Sequence, residues 1–260
     1  MPIAARDALR RLAARLGGRA AFDAPLDVPG QVCAVGDLHG RADLLDALLA
    51  RLDAGGRAGA GTVMVFLGDH VDRGPDPAGV VARLRALQRA APDRVVALMG
   101  NHERMMLDFL DAPVQAGRRW LRFGGLQTLA SYGVRGVTEG ADPPALERAA
   151  RDLRAAMPPG EAEWLAALPL QWRRGNLICA HAALDPARDP AAQPGEVLLW
   201  GHRDFARRPR GDGLWVAHGH TVVPDPLAQA GRVALDTGAY FTDRLSAGLF
   251  EGAALDFLEA

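Results

Sequence analysis

The chain has 260 residues, with 30 basic side chains against 31 acidic ones and a formal charge of −1. All 30 basic residues are arginine, which excludes a P-loop lysine and a Schiff-base lysine. The balanced charge, with no basic run interleaved with aromatics, makes nucleic acid an unexpected partner, and the length allows one large domain or two small ones.

Residues 1–30 read as an N-terminal helix or extension. "MPIAARDALRRLAARLGGRAAF" has apolar residues at helical spacing but no continuous apolar run, so neither a secretory signal nor a membrane span is expected. The remainder, 31–260, reads as one α/β domain. "QVCAV" predicts a buried strand, followed by "GDLHG" and then a helix carrying Leu44, Leu45, Leu48, Leu49 and Leu52 on one face. "TVMVFL" predicts the next strand, "GDHVDRG" the next loop, and a helix follows from about Asp76 to Ala90. "RVVALM" predicts a third strand, ending in "GNHE" and another helix. The unit of buried strand, polar glycine loop and helix thus occurs three times, the rhythm of an α/β fold. In such folds the loops at the carboxyl ends of the strands line the ligand crevice, so these three should meet.

Residues 112–170 carry helical patterns and no strand signal, and are read as a helical insertion beside the site. Beyond them "NLICA" leads into "HAAL" and "LWVA" into "HGHT". "RVALDTG", "SAGLFEG" and "ALDFLEA" read as closing antiparallel strands. Cys33 and Cys179 each lie in an apolar run and are read as small buried hydrophobes. They suggest no disulfide framework, which makes a cytoplasmic location the expectation.

The strand-end loops supply Asp37, His39, Asp69, Asn101, His102, His181 and His220. Carboxylates, imidazoles and an amide without a thiolate suit borderline-to-hard divalent cations. Two positions apart in an extended chain, Asp37 and His39 point the same way and could share one ion. Asp69 could bridge to a second ion held by Asn101, His181 and His220, giving the paired site, with ions ~3.5–4 Å apart, used for phosphoryl hydrolysis. An aspartate after glycine is commonly only a turn or a helix cap, and a lone histidine only structural. The joint pattern, with four of the seven histidines at successive strand ends, outweighs that reading.

"GDLHG", "GDHVDRG" and "GNHE", followed by "HAAL" and "GHT", resemble the bacterial phosphoprotein phosphatase branch of the calcineurin-like metallophosphoesterases. The resemblance runs from residue 31 to about 250. It implies a four-layer α/β/β/α sandwich and two divalent metal ions, manganese foremost, with iron or zinc as alternatives. It further implies that Asp37 and His39 ligate the first metal, Asp69 bridges, and Asn101, His181 and His220 ligate the second, with Asn101 also touching phosphate. His102 matches the general acid, Asp72 the carboxylate that orients it, and Arg73 the phosphate grip. Hydrolysis would then proceed by attack of a metal-bridging hydroxide, with His102 protonating the leaving oxygen.

The chain departs from this pattern in places. Ala182 follows His181 where relatives carry glycine. His70 replaces an aromatic or aliphatic residue and is read as a rim or supporting residue, with substrate contact as the alternative. "LLWGHRDF" leaves open whether Arg203 or His202 supplies a second phosphate contact. His218 is read as orienting a neighbour, and Asp236 as a structural hydrogen-bonding residue. The expected activity is a serine/threonine protein phosphatase acting on a phosphoprotein or small phosphoester. Asp72 before Arg73, together with "GNHE", favours this over a symmetrical diadenosine tetraphosphate hydrolase. A metal-binding interaction module without turnover is the alternative from another class, disfavoured because every catalytic position is filled.

Overall fold

The computed structural model describes residues 22–57, 59 and 61–260. The helix expected near the N-terminus falls mainly on 1–21, outside the described residues. Residues 22–27 are irregular, and the first strand begins at Val28, inside the stretch read as an extension.

Among the described residues, ten strands form two five-stranded mixed sheets. In the first, β1 (Val28–Val35), β2 (Thr62–Phe66) and β3 (Val95–Ala97) run parallel, while β9 (Ser246–Gly252) and β10 (Ala254–Glu259) add antiparallel beside β1. In the second, β5 (Leu177–Ala180), β6 (Trp215–His218) and β8 (Arg232–Ala234) are parallel, edged by antiparallel β4 (Gln171–Arg174) and β7 (Leu227–Gln229). "SAGLFEG" and "ALDFLEA" are antiparallel as expected. "RVALDTG" is antiparallel on one side only: it pairs antiparallel with the unpredicted, exposed β7 and parallel with β6.

Strand alternation explains the layering. Along β1, Val32 and Ala34 face the other sheet, where they meet Leu177, Cys179, Ala217 and Val233. Cys33 and Val35 face outward onto helices α1 (Ala42–Ala54) and α2 (Pro77–Ala90), against Leu45, Leu48 and Val80. Each such leucine, fully buried, contributes ~1.5–3 kcal/mol. The outer face of the second sheet, through Ile178 and Val216, packs on Leu198, Phe205 and Leu214. Two sheets with covered outer faces make the expected four-layer α/β/β/α sandwich. Both cysteines are buried and unpaired, and burial pushes the Cys33 thiol up to about 12.

Helix starts follow local chemistry. The Asp76 side chain accepts the Gly79 amide at 2.9 Å, so α2 opens on Pro77. Helix α3 (Asn101–Asp111) opens inside "GNHE", which puts Asn101 and His102 on its first turn. Beyond it lie α4 (Pro113–Trp120), a π-helical turn over Leu121–Gly125 and α5 (Leu126–Ser131), with Gly124 at φ 109°. Helices α6 (Pro143–Ala156) and α7 (Glu161–Ala166) complete this strand-free stretch. Among the described residues, no helix is long and apolar enough to cross a membrane.

Candidate active site

The loops that end parallel strands of both sheets converge. Asp69 O accepts the amides of Leu38 at 3.2 Å and His39 at 2.8 Å, which ties the loop after β1 to the loop after β2. On the other sheet, His181 O accepts the Gly219 amide at 2.8 Å. Seven described residues other than glycine have left-handed backbones, and five are candidate site residues: His39, Asp69, Asp72, Arg73 and His220, with φ between 42° and 72°. Such conformations persist only where the surroundings over-determine them, and here they turn the side chains inward. His39 is therefore presented by a turn, and the extended geometry assumed for the pair Asp37 and His39 does not occur.

Two groups of donor atoms, each within 4.8 Å, share Asp69: His39, Asp69 and His102 form one, and Asp69, His181 and His220 the other. The two oxygens of Asp69 divide between them. Oδ2 faces His39 Nε2 at 3.5 Å and His102 Nε2 at 3.9 Å, while Oδ1 faces His181 Nε2 at 3.3 Å. Asn101 Oδ1 joins the second group, 2.9 Å from both His181 Nε2 and His220 Nδ1. The rings are aimed from behind. His39 Nδ1 lies 2.9 Å from Val71 O and His181 Nδ1 3.0 Å from Leu67 O, leaving each Nε2 for the site, the usual arrangement for metal-binding imidazoles.

Asp37 lies outside both groups. Its Oδ2 accepts the His220 amide at 3.0 Å, and among the described residues its buried Oδ1 meets no N–H donor, only the Asp236 carboxyl group beside it. Burial, then the Asp236 and Asp69 charges, push its carboxyl well above the ordinary range. An orphaned oxygen in a cluster of buried carboxylates fits a divalent cation, whose charge would remove that penalty. Asp69 behaves oppositely. Burial would raise it, but the His181, His102 and His39 imidazoles together hold it well below the ordinary range. Burial also lowers His39 to about 3 and His220 to about 4, which keeps both rings neutral and available as ligands. Close approach needs glycine: a methyl group at Gly100 would collide with Asp69 Oδ1, and one at Gly219 with Asp37 Oδ1.

Beside this cluster, His102 Nδ1 donates to Asp72 Oδ2 at 2.7 Å. Asp72 also accepts from Trp120 Nε1 at 2.9 Å and from Thr128 Oγ1 at 2.6 Å. Burial opposes a charged His102, but the Asp69 and Asp72 carboxylates outweigh it and hold the imidazole above its ordinary value. Arg73 Nη2 lies 3.1 Å from His102 Nε2, and its guanidinium stacks 4.8 Å from the Tyr240 ring centre.

The remaining expected contacts are placed elsewhere. Arg203 is exposed after Trp200 and, among the described residues, has no hydrogen-bond or ion-pair partner, while His202 reaches Asp185 at 3.9 Å. The second arginine lining a cavity with Arg73 is Arg122. His70 is neither at the rim nor open to substrate. It is fully buried, with Nε2 on Leu98 O at 3.0 Å. Ala182 is buried without a left-handed backbone, so its methyl group is accommodated. Asp236 accepts the Gly238 amide at 2.8 Å, as a structural residue should. His218 packs edge-on against Phe205.

Three supporting residues escaped the sequence reading. Glu103, fully buried, accepts the amides of Asp69, His70, Val71 and Gly100 at 2.7–3.1 Å, clamping "GDHVDRG" onto the start of α3. Its position three residues after Gly100 is the sequence signal for such a clamp. Trp120 and Thr128 have no comparable signal, since only the tertiary fold brings them to Asp72.

A family profile described as calcineurin-like phosphoesterase matches residues 30–242. The bis(5'-nucleosyl)-tetraphosphatase PrpE, asymmetrical type, of Bacillus subtilis strain 168 is 26% identical over 235 residues, covering 82% of this chain and 87% of that protein. The serine/threonine-protein phosphatase rdgC of Drosophila melanogaster is 40% identical over 81 residues, which is 31% of this chain and 12% of that protein. A crystal structure of a candidate diadenosine tetraphosphatase superposes with a TM-score of 0.61 at 22% identity, covering 92% of this chain and 99% of its own.

Proposed function

The chain belongs to the calcineurin-like phosphoesterase family, and we propose that it is a metal-dependent hydrolase of bis(5'-nucleosyl) tetraphosphates. In this reading Asp37, His39 and Asp69 hold one divalent ion, and Asp69, Asn101, His181 and His220 hold the other. The oxygen and nitrogen donor set suits manganese, with iron or zinc as alternatives. When bound, the ions polarise phosphoryl oxygens and activate water.

The protein's own groups do the rest. Arg73 grips phosphate through two N–H groups, which lysine could not match. In doing so it leaves His102 Nε2, which it approaches at 3.1 Å in this structure. That nitrogen then carries the proton delivered to the leaving oxygen, while Asp72 holds the ring by Nδ1. Residues 112–170 act as an insertion that brings Trp120 and Thr128 to Asp72.

The observation that carries the substrate class is the extent of similarity to the tetraphosphatase PrpE, which spans most of both chains. It ranks the nucleotide reading above the serine/threonine phosphatase expected from the motifs. The latter stays as the second reading because of the well-supported acid pair of His102 and Asp72, which an alkoxide leaving group needs more than an anhydride does. Purified protein with manganese, given diadenosine tetraphosphate and a phosphoserine peptide, tests the order. We expect kcat/KM at least ~10-fold higher on the nucleotide, ~1.4 kcal/mol in transition-state terms, with AMP and ATP as products. A preference for the peptide would sink the nucleotide reading, and two ADP would move the cut to the symmetrical position.

A further inference from the structure

The open side of the site leads into a cavity of about 340 Å³ lined by Arg73, Arg122, Phe123, Gly124, Gln127 and Tyr240. Its walls continue the reaction centre. The His39 and His102 rings stand edge to face at 4.6 Å, Tyr240 lies 5.3 Å from His39, and Phe123 lies 6.4 Å from His102. A ligand whose phosphate sits on Arg73 therefore extends between these walls.

Both walls are held in place without a ligand. Arg41 donates to Ala239 O at 2.7 Å and to Asp243 Oδ1 at 2.6 Å, fixing the segment that carries Tyr240. On the other side Gly124 O accepts the Arg73 amide at 3.4 Å, and a methyl group at Gly124 would collide with Arg73. Phe123 is nonetheless 47% exposed. Arg122 and Gln127 are exposed too, and among the described residues their side chains have no hydrogen-bond or ion-pair partner.

We propose that this cavity is a nucleobase subsite. The base stacks on Phe123, the Gln127 amide reads its edge, and Arg122 meets the polyphosphate chain. A flat π-face suits the aromatic wall. A base edge presents donors and acceptors together, and the side-chain amide answers both. No carboxylate lines the cavity to repel phosphate. This subsite rests on the nucleotide reading above, and a phosphopeptide is the competing occupant.

The test uses AMP and ribose 5-phosphate as competitive inhibitors of p-nitrophenyl phosphate hydrolysis by the manganese-loaded protein. The two share a phosphate and a ribose and differ by the base. We expect AMP to inhibit about 5- to 150-fold more tightly, the equivalent of the ~1–3 kcal/mol a base–aromatic stack contributes. That ratio should collapse towards one in Phe123→Ala and persist in Phe123→Trp. Equal inhibition of the parent protein by the two compounds, or a ratio that survives Phe123→Ala, would overturn the subsite. Cleavage of diadenosine tetraphosphate is scored separately. A protein that discriminates AMP from ribose 5-phosphate without cleaving the dinucleotide keeps the subsite and loses the tetraphosphatase reading.

Discussion

Two carboxylates of the site, Asp37 and Asp72, are both buried, yet they meet different donors. Asp72 accepts from His102, Trp120 and Thr128, and these donors offset part of the burial that raises its carboxyl above the ordinary range. Asp37 has, among the described residues, one oxygen without an N–H donor, and two other carboxyl groups lie nearby. The acid side of the site is therefore largely answered by the protein's own donors, whereas the ion side is built for charge that must come from outside. Desolvation is similar for both, so the difference lies in hydrogen-bond donors.

The comparison breaks most severely at Asp69, whose oxygens serve both donor groups. Asp69→Asn removes the shared charge. We expect loss of at least one ion and a fall in turnover of roughly 10³-fold or more, the ~4 kcal/mol scale of losing a main electrostatic stabiliser. Metal content by mass spectrometry and circular dichroism check it. Two ions at full occupancy with parental turnover would end the dinuclear reading.

On the acid side, His102→Asn should spare good leaving groups. Hydrolysis of an alkyl phosphate should fall ~10²–10⁴-fold more than that of p-nitrophenyl phosphate, whose phenolate leaves without a proton. Thr128→Val removes one donor to Asp72 and should shift the same ratio by about tenfold, matching a charged hydrogen bond of ~1.5 kcal/mol. Equal losses on both substrates would reduce His102 to a support for Asn101.

The smallest effect sharpens the contrast. In metal-free protein at pH 7, Asp37→Asn should raise stability by ~1–2 kcal/mol, because it removes a poorly answered buried charge. Asp72→Asn should lower it. The sign depends on pH. The folded-state pKa of Asp37 is raised, so the parent is not penalised below the unfolded value of ~3.9, and stability is lost as pH rises through the folded value. The gain from Asp37→Asn should therefore fade towards pH 4. Urea titrations of chelator-treated protein at the two pH values measure it, and an equal gain at both would show that ionisation is not the cause.

The motifs made the reaction centre legible in the sequence because chain-local turns present its residues. "GDHVDRG" supplies Asp69, Asp72 and Arg73 in five positions, and strand periodicity predicted where the loop would stand. Supporting contacts were less legible. Trp120 and Thr128 lie 48 and 56 positions from Asp72 and arrive by helix packing. His70 was legible as a rim or supporting residue, and the turn that sends its ring inward onto Leu98 O decides for support. Arg122 beside Arg73 was unreadable, since Gly124 carries that segment over the site. The mixed pairing of β8 was illegible because β7 is a short exposed strand with no apolar pattern.

The five left-handed residues of the site carry an evolutionary consequence. Glycine would relieve each backbone at little conformational cost, whereas a bulkier residue there costs roughly 1–2 kcal/mol. Together that approaches the ~5–15 kcal/mol by which a whole domain is stable. Selection for robustness alone would erode these positions to glycine. Side chains that chemistry needs are thus kept at a cost in stability that the rest of the fold must carry.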